Sequence, residues 1–415
     1  LNNYKATKID NGITVITENV PYVRSFSLGF WFFVGSRDEN ETNNGISHFI
    51  EHMFFKGTDK RSAKDIAEEV ESLGGYLNAF TTKEHTCYYG RGLSHNIEKT
   101  FEVLADMLQN SVFDEAEIKK EANVVIDELY DIEDSPEELI FDKLESSIYK
   151  GNPLSMPIIG TEKNIRSFNS DDLRNFIAEN YSSDNMFVVA SGNVDHQTVL
   201  DLTKKYITKE FKGKTQRERA EKFNIADEFH YKDLQQSHFI IAAPTYGFES
   251  EKRAALNILS HILGEGSSSR LFQRLREENG ITYQINSFVN SFLEVSTFGV
   301  YFSTNENSAL KAVDLVNKEL DKIRTAKVSD KELQKAKEYI KGNLLMSLES
   351  TTNRMFRLAH SFMYLGKFKS VDESVAEIES VTSEEILTLA NEILKPENLS
   401  TIILSSKNHL IHSAA

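Results

Sequence analysis

His48, Glu51 and His52 fill the first, fourth and fifth places of the pentad His48-Phe49-Ile50-Glu51-His52. On a helix these positions share one face, so both imidazoles can converge on one metal ion while the Glu51 carboxylate addresses its open coordination position. Imidazole pairs suit zinc, and a carboxylate beside metal-activated water can act as a general base. The chemistry such a set can do is amide hydrolysis. The competing interpretation is two surface histidines on an ordinary helix, and the flanking sequence has to decide between them.

The flanks favour a positioned site. Asn43-Asn44-Gly45 precede an apolar-periodic run (Ile46, Phe49, Ile50, Met53, Phe54) and Lys56-Gly57 close it, which predicts a short amphipathic helix. A catalytic zinc takes three protein ligands and a water. The stretch 116–130 is helix-like, with Ile118, Val125 and Leu129 apolar and Asp114 near the cap. Glu121 and Glu128 lie seven residues apart in it and so share a face, although a solvated carboxylate is the default for either.

The run H-F-I-E-H-M-F-F-K-G-T, followed 76 residues after its second histidine by the last Glu of E-A-N-V-V-I-D-E-L, resembles the pitrilysin-type inverzincin family of zinc metallopeptidases. That family includes insulin-degrading enzyme, mitochondrial processing peptidase and small bacterial processing-type proteases. The resemblance implies that Glu128 is the third zinc ligand after His48 and His52, that Glu121 is a catalytically important acid beside it, and that each chain holds one Zn2+. Three further blocks agree: W-F-F-V-G-S-R-D-E at Trp31 to Glu39, G-G-Y-L-N-A-F-T-T-K-E-H-T at Gly74 to Thr86, and N-P-L-S-M-P-I-I-G-T at Asn152 to Thr161.

Extended peptides bind most generally by adding a strand to a sheet edge, where main-chain hydrogen bonds hold them without reading side chains. The resemblance places such an edge at Asn78, Ala79, Phe80 and Thr81, beside the metal. A second constellation lies in the block Gly264 to Tyr283, which resembles the family's S-S-R-L-F...L-R-E...G-x-x-Y segment. There the matching Arg276 and Tyr283 reach the active site from the opposite half of the enzyme. A phenol and a guanidinium are apt donors to the oxyanion of amide hydrolysis and to a neighbouring substrate carbonyl.

A repeat organises the elements around these residues. F-N-S-D-D-L at Phe168 recurs as V-T-S-E-E-I at Val381, and Y-S-S-D-N-M-F-V-V-A at Tyr181 as L-K-P-E-N-L-S-T-I-I at Leu394, both displaced by 213 residues. We expect an α+β protein of two homologous domains, each a mostly antiparallel sheet with helices packed on one face, together forming half of a clamshell chamber. Residues 1–207 would be the zinc-binding catalytic domain, 208–228 a charged linker, and 229–415 a metal-free copy carrying Arg276 and Tyr283. In that copy Lys341, Gly342 and Asn343 stand near the counterpart of Glu128, so no second zinc site is expected.

The net charge of −16 over 415 residues disfavours nucleic acid and anionic membranes as partners. It would suit basic peptides, and would equally suit a surface that is acidic for solubility alone. A single cysteine, Cys87, excludes an intramolecular disulfide framework and fits a reducing compartment. The longest apolar run, near Phe26 to Val34, is too short to span a bilayer, and Leu1-Asn2-Asn3-Tyr4 gives no signal-peptide pattern. A bacterial cytoplasmic enzyme is expected, with the mitochondrial matrix or another organelle as the alternative. The resemblance further implies a homodimer that shares its active site between chains and takes peptides or unfolded segments. Only Gly264-Glu265-Gly266 precede Ser267, where the mitochondrial non-zinc subunit has a long glycine-rich loop, which argues against presequence processing by that device. The other class of function is a non-catalytic scaffold or partner subunit, and such subunits typically break the pentad that this chain keeps.

Overall fold

The computed structural model describes residues 4–410, so the reading of Leu1-Asn2-Asn3 lies outside it. The chain forms two compact units, one of residues 1–131, 156–218 and 346–368, the other of residues 132–155, 219–345 and 369–415. The first holds a sheet of β1 (Tyr4–Lys8), β2 (Thr14–Asn19), β3 (Ser25–Phe32), β4 (Tyr76–Thr81), β5 (Thr86–Leu93) and β6 (Met186–Gly192), in the order β1-β2-β6-β3-β5-β4. Every neighbouring pair is antiparallel except β2 with β6. In the second, β7 (Glu228–Tyr231), β8 (Ser237–Tyr246), β9 (Gln284–Ser291), β10 (Val295–Thr304) and β11 (Ser400–Ser405) run β7-β11-β8-β10-β9. Its single parallel pair, β7 with β11, falls where β2 and β6 fall in the first. The second sheet thus repeats the first without a counterpart of β1, which is the duplication expected of two homologous α+β domains.

Central strands explain the sheet's aromatic content. In β3 one set of alternate residues, Phe26, Leu28, Phe30 and Phe32, faces the main helical layer, with Phe30 edge-on to Phe101 at 4.9 Å. The other set, Ser27, Gly29 and Trp31, faces the helix Thr351–Leu365. Met355 and Leu358 of that helix join a buried cluster with Trp31, Ile16 and Val189, and Ser27 Oγ bonds the Thr351 and Thr352 hydroxyls at 2.9 Å each. Burying side chains of that size is worth about 1.5–3 kcal/mol each, enough to hold a lone helix on the second face.

The second unit repeats this plan. Its main core unites helices Arg253–Gly264, Ala309–Thr325 and Ser383–Ile393 with one face of the sheet. On the other face the helix Pro136–Ile148 packs Ile140, Leu144 and Ile148 against Ile240, Tyr301 and Ile402. Pro136–Ile148 and Thr351–Leu365 begin 215 residues apart, close to the repeat length. Each therefore belongs by sequence to one repeat and by packing to the unit that holds the other repeat's sheet. The charged stretch 208–228 divides likewise, with residues 208–218 in the first unit and 219–228 in the second.

Candidate active site

The pentad sits on the helix Ile46–Phe54, which buries Ile46, Phe49, Ile50, Met53 and Phe54 and turns His48, Glu51 and His52 the other way. Its start is not capped by Asn43 or Asn44. Glu39, fully buried, accepts from the Gly45 and Ser47 N–H groups at 2.7 and 2.8 Å and from Asn44 Nδ2 at 2.9 Å. A carboxylate at a helix N-terminus satisfies orphan donors and opposes the dipole. Burial nevertheless outweighs those bonds and raises Glu39 to about 7. Two glycines let this end of the helix approach the chain near Gly160: a Cβ on Gly45 (φ 99°) would lie 2.6 Å from the Ile159 carbonyl, and one on Gly160 (φ 85°) 2.4 Å from that of Asn44.

Glu121 and Glu128 project from the helix Glu115–Asp134, which is capped by Asp114 through the Ala116 and Glu117 N–H groups and buries Ile118, Ala122, Val125 and Ile126. His48, His52 and Glu128 each bring one donor atom to within 4.8 Å of the others. Glu128 lies 3.8 Å from His48 Nε2 and 3.6 Å from His52 Nε2. Donors about 2.0–2.1 Å from a tetrahedral zinc stand roughly 3.3 Å apart, so this set would draw together to hold one.

The remaining groups fit the same ion. Glu121, an acceptor when ionised, takes a hydrogen bond from His52 Nδ1 at 2.8 Å and a second contact from Lys56 Nζ at 2.5 Å. This fixes the tautomer that leaves the His52 Nε2 lone pair for a metal. Burial would raise Glu121, but His52 and Lys56 overcome it and hold the group below its usual range. Burial would lower His52, but Glu121, Glu51 and Glu128 together raise it. His48, dehydrated and beside His52, drops to about 3 and is a neutral ligand at any ordinary pH. Glu51 is raised chiefly by burial. Three carboxyl groups, Glu51, Glu121 and Glu128, lie beside His52, and a divalent cation would offset the negative charge they carry when ionised.

Strand β4 is the outermost strand of its sheet and lies beside the pentad helix. Thr82 N–H bonds the His85 carbonyl at 2.8 Å across the β4–β5 turn. Antiparallel alternation then commits the backbones of Phe80 and Asn78 to β5 and leaves those of Ala79 and Thr81 on the open edge. Ala79 N–H is met there by Asn78 Oδ1 at 2.9 Å. Of the four residues proposed from sequence, two can thus offer main-chain bonds to an added strand. Asn78 instead places its amide against Tyr76 Oη at 2.8 Å, and Phe80 packs edge-on to Trp31. Thr81 Oγ1 donates to Glu51 Oε2 at 2.6 Å. The turn after β4 is anchored by the buried pair Arg37–Glu84 at 2.6 Å and by Arg217, which bonds Asp38 and the Glu84 carbonyl.

In the second unit Arg276 lies on a π-helical segment, Phe272–Glu277. Such segments are rare and concentrate at functional sites. The Arg276 guanidinium lies 4.8 Å from the ring centroids of both Phe272 and Tyr283, and Tyr283 is 77% exposed. The counterpart of Glu128 is Lys341, which pairs with Glu338 and Glu379. Among the described residues the only cluster able to hold a metal is that of the first unit. Sequence reasoning did not find Glu39 as the cap, the Lys56 contact to Glu121, the Thr81 hydroxyl on Glu51 or the Phe272 platform. Lys56 and Phe272 carried a local signal, standing four residues after His52 and four before Arg276.

A fold of two duplicated sheets with a His, His, Glu cluster in one of them defines a metallopeptidase-like protein. Residues 14–162 match the family described as insulinase, peptidase family M16, and residues 167–340 match the peptidase M16 inactive domain. The chain is 36% identical over 398 residues to YmxG, an uncharacterized zinc protease of Bacillus subtilis (strain 168), covering 96% of this chain and 97% of that one. It is also 36% identical over 407 residues to an uncharacterized zinc protease of Rickettsia felis, covering 97% of each. Among solved structures, a protease from Helicobacter pylori superposes with a TM-score of 0.90 at 23% identity over 98% of this chain and all of that one, which bears on the fold alone. The chain belongs to the M16 family, the insulinase or pitrilysin type of zinc metallopeptidase.

Proposed function

We propose that this chain is a zinc-dependent endopeptidase acting on peptides or unfolded segments, with His48, His52 and Glu128 as metal ligands and Glu51 as general base. The observation that carries the proposal is the convergence of those three donors within 4.8 Å, with Glu51 on the same helix and Glu121 fixing the His52 tautomer. Zinc held by these groups supplies acidified water and a polarised carbonyl. Glu51, one oxygen held by Thr81, presents the other to take the proton of the attacking water and return it to the leaving amine. Its burial, by raising its pKa, makes it a stronger base. The open edge at Ala79 and Thr81 holds the peptide as an added strand, and Arg276 and Tyr283 donate to the charge developing on its carbonyls.

Zinc dependence is the property named in the relatives. The family's two-half architecture supports a homodimeric chamber, each zinc site completed by Arg276 and Tyr283 of the other chain. The proposed location is the bacterial cytoplasm, of which the bacterial relatives support the bacterial part. Incubation with a mixed peptide pool, read by mass spectrometry with and without a chelator, tests the function. Internal cuts confined to the metal-replete sample are expected. A non-catalytic partner subunit would cut nothing in either.

A further inference from the structure

We infer that the Thr81 side chain is a positioning residue for Glu51: its hydroxyl holds the carboxylate in the orientation from which it takes a proton, and does so from the strand on which a peptide would dock. The inference rests on the peptidase reading above. The 2.6 Å separation of Thr81 Oγ1 and Glu51 Oε2 is that of a charge-assisted hydrogen bond. Among the described residues it is the one hydrogen bond to the Glu51 carboxylate.

The hydroxyl is held in turn. A β-branched residue in a strand is stiff at its first torsion, so the direction of Oγ1 follows from the position of the backbone. That backbone is fixed by pairing of Thr81 with Thr86 and by the turn beyond it, where Thr82 Oγ1 bonds the His85 carbonyl at 3.0 Å. A Cβ on Gly35 would lie 2.3 Å from the Thr82 carbonyl, so a second segment presses on the same turn. The backbone N–H and carbonyl of Thr81 remain on the open edge. A peptide bonded there engages the same residue whose side chain holds the base, so docking and base orientation meet at one position.

The test uses the full, zinc-loaded protein and a fluorogenic peptide. Thr81→Val keeps shape and strand preference but removes the donor. The kcat should fall about ten- to a hundredfold, the scale of a misplaced catalytic group, with KM within about twofold and zinc content unchanged. Thr81→Ser should recover most of the loss. The double variant Glu51→Gln, Thr81→Val should be no slower than Glu51→Gln alone, because the hydroxyl acts through Glu51. In a crystal structure of Thr81→Val the Glu51 carboxylate should leave its position or divide between rotamers. An unmoved carboxylate, a parental kcat, a rise in KM alone, or further loss in the double variant would each overturn the inference. The crystallographic arm decides it even if the parent holds no zinc and cuts nothing, a result that would count against the peptidase reading instead.

Discussion

Glu51 and Glu121 are both carboxylates beside His52, and their surroundings separate them. Burial raises Glu51 against the Thr81 hydrogen bond and the His52 charge, whereas His52 and Lys56 hold Glu121 low against the same effect. Two like groups pushed in opposite directions suit the proposed division into a proton acceptor, Glu51, and a permanent anion, Glu121. Glu51→Gln should therefore keep its zinc and lose at least about a hundredfold in kcat, and His52→Ala should lose both. Elemental analysis beside a peptide assay separates the two, and a Glu51→Gln protein as active as its parent would refute the base assignment. Glu121→Gln should weaken zinc binding about ten- to a hundredfold in chelator competition, since it no longer orients His52 as an anion. The pentad was legible because its spacing on a helix brings it to one face; Glu121 and Glu128 share a face by their own spacing, but their roles came from the family resemblance. The Thr81 hydroxyl on Glu51 was not legible, because that contact depends on how two separate segments return to one place.

The pentad helix illustrates the same division among elements. Its span and buried face followed from the apolar period, and Glu115–Asp134 from its own, but the N-terminal cap came from Glu39, six residues before Gly45, where no local pattern points. That cap has a pH signature. Glu39 sits near 4.5 in an unfolded chain and near 7 when folded, so the folded state keeps a proton that the unfolded state has released. The stability from that proton is fully present below the unfolded value and is lost as pH rises through about 7. From pH 5 to 8 the first unit should lose stability on this account, by at most about 3 kcal/mol. Glu39→Gln cannot titrate, so its denaturant stability should fall less over that range, while its amide nitrogen, facing a backbone N–H, lowers stability at pH 5 by about 1–3 kcal/mol. Equal pH slopes in the two proteins would exclude Glu39 as the source.

At the scale of the molecule, the 213-residue repeat made the duplicated sheets legible, whereas the exchanged helices were not. Pro136–Ile148 and Thr351–Leu365 carry ordinary amphipathic patterns that say nothing of which sheet they cover. The proposed dimer can be tested by mixing two poorly active variants, Glu51→Gln and Tyr283→Phe, and letting their subunits exchange. Half the dimers formed at random are mixed, and each has one site with intact Glu51 and Tyr283, so activity should rise to roughly a quarter of the parent's. No recovery, with exchange verified by mass, would place both residues of a site in one chain. Titrating zinc into chelator-stripped protein while following peptide hydrolysis tests most directly whether the His48, His52 and Glu128 cluster is a catalytic zinc site. Activity should be absent at the start, climb in proportion to added zinc and level off at one equivalent per chain. Hydrolysis undiminished by stripping, or none at any zinc level in protein that binds no tight metal, would contradict that role.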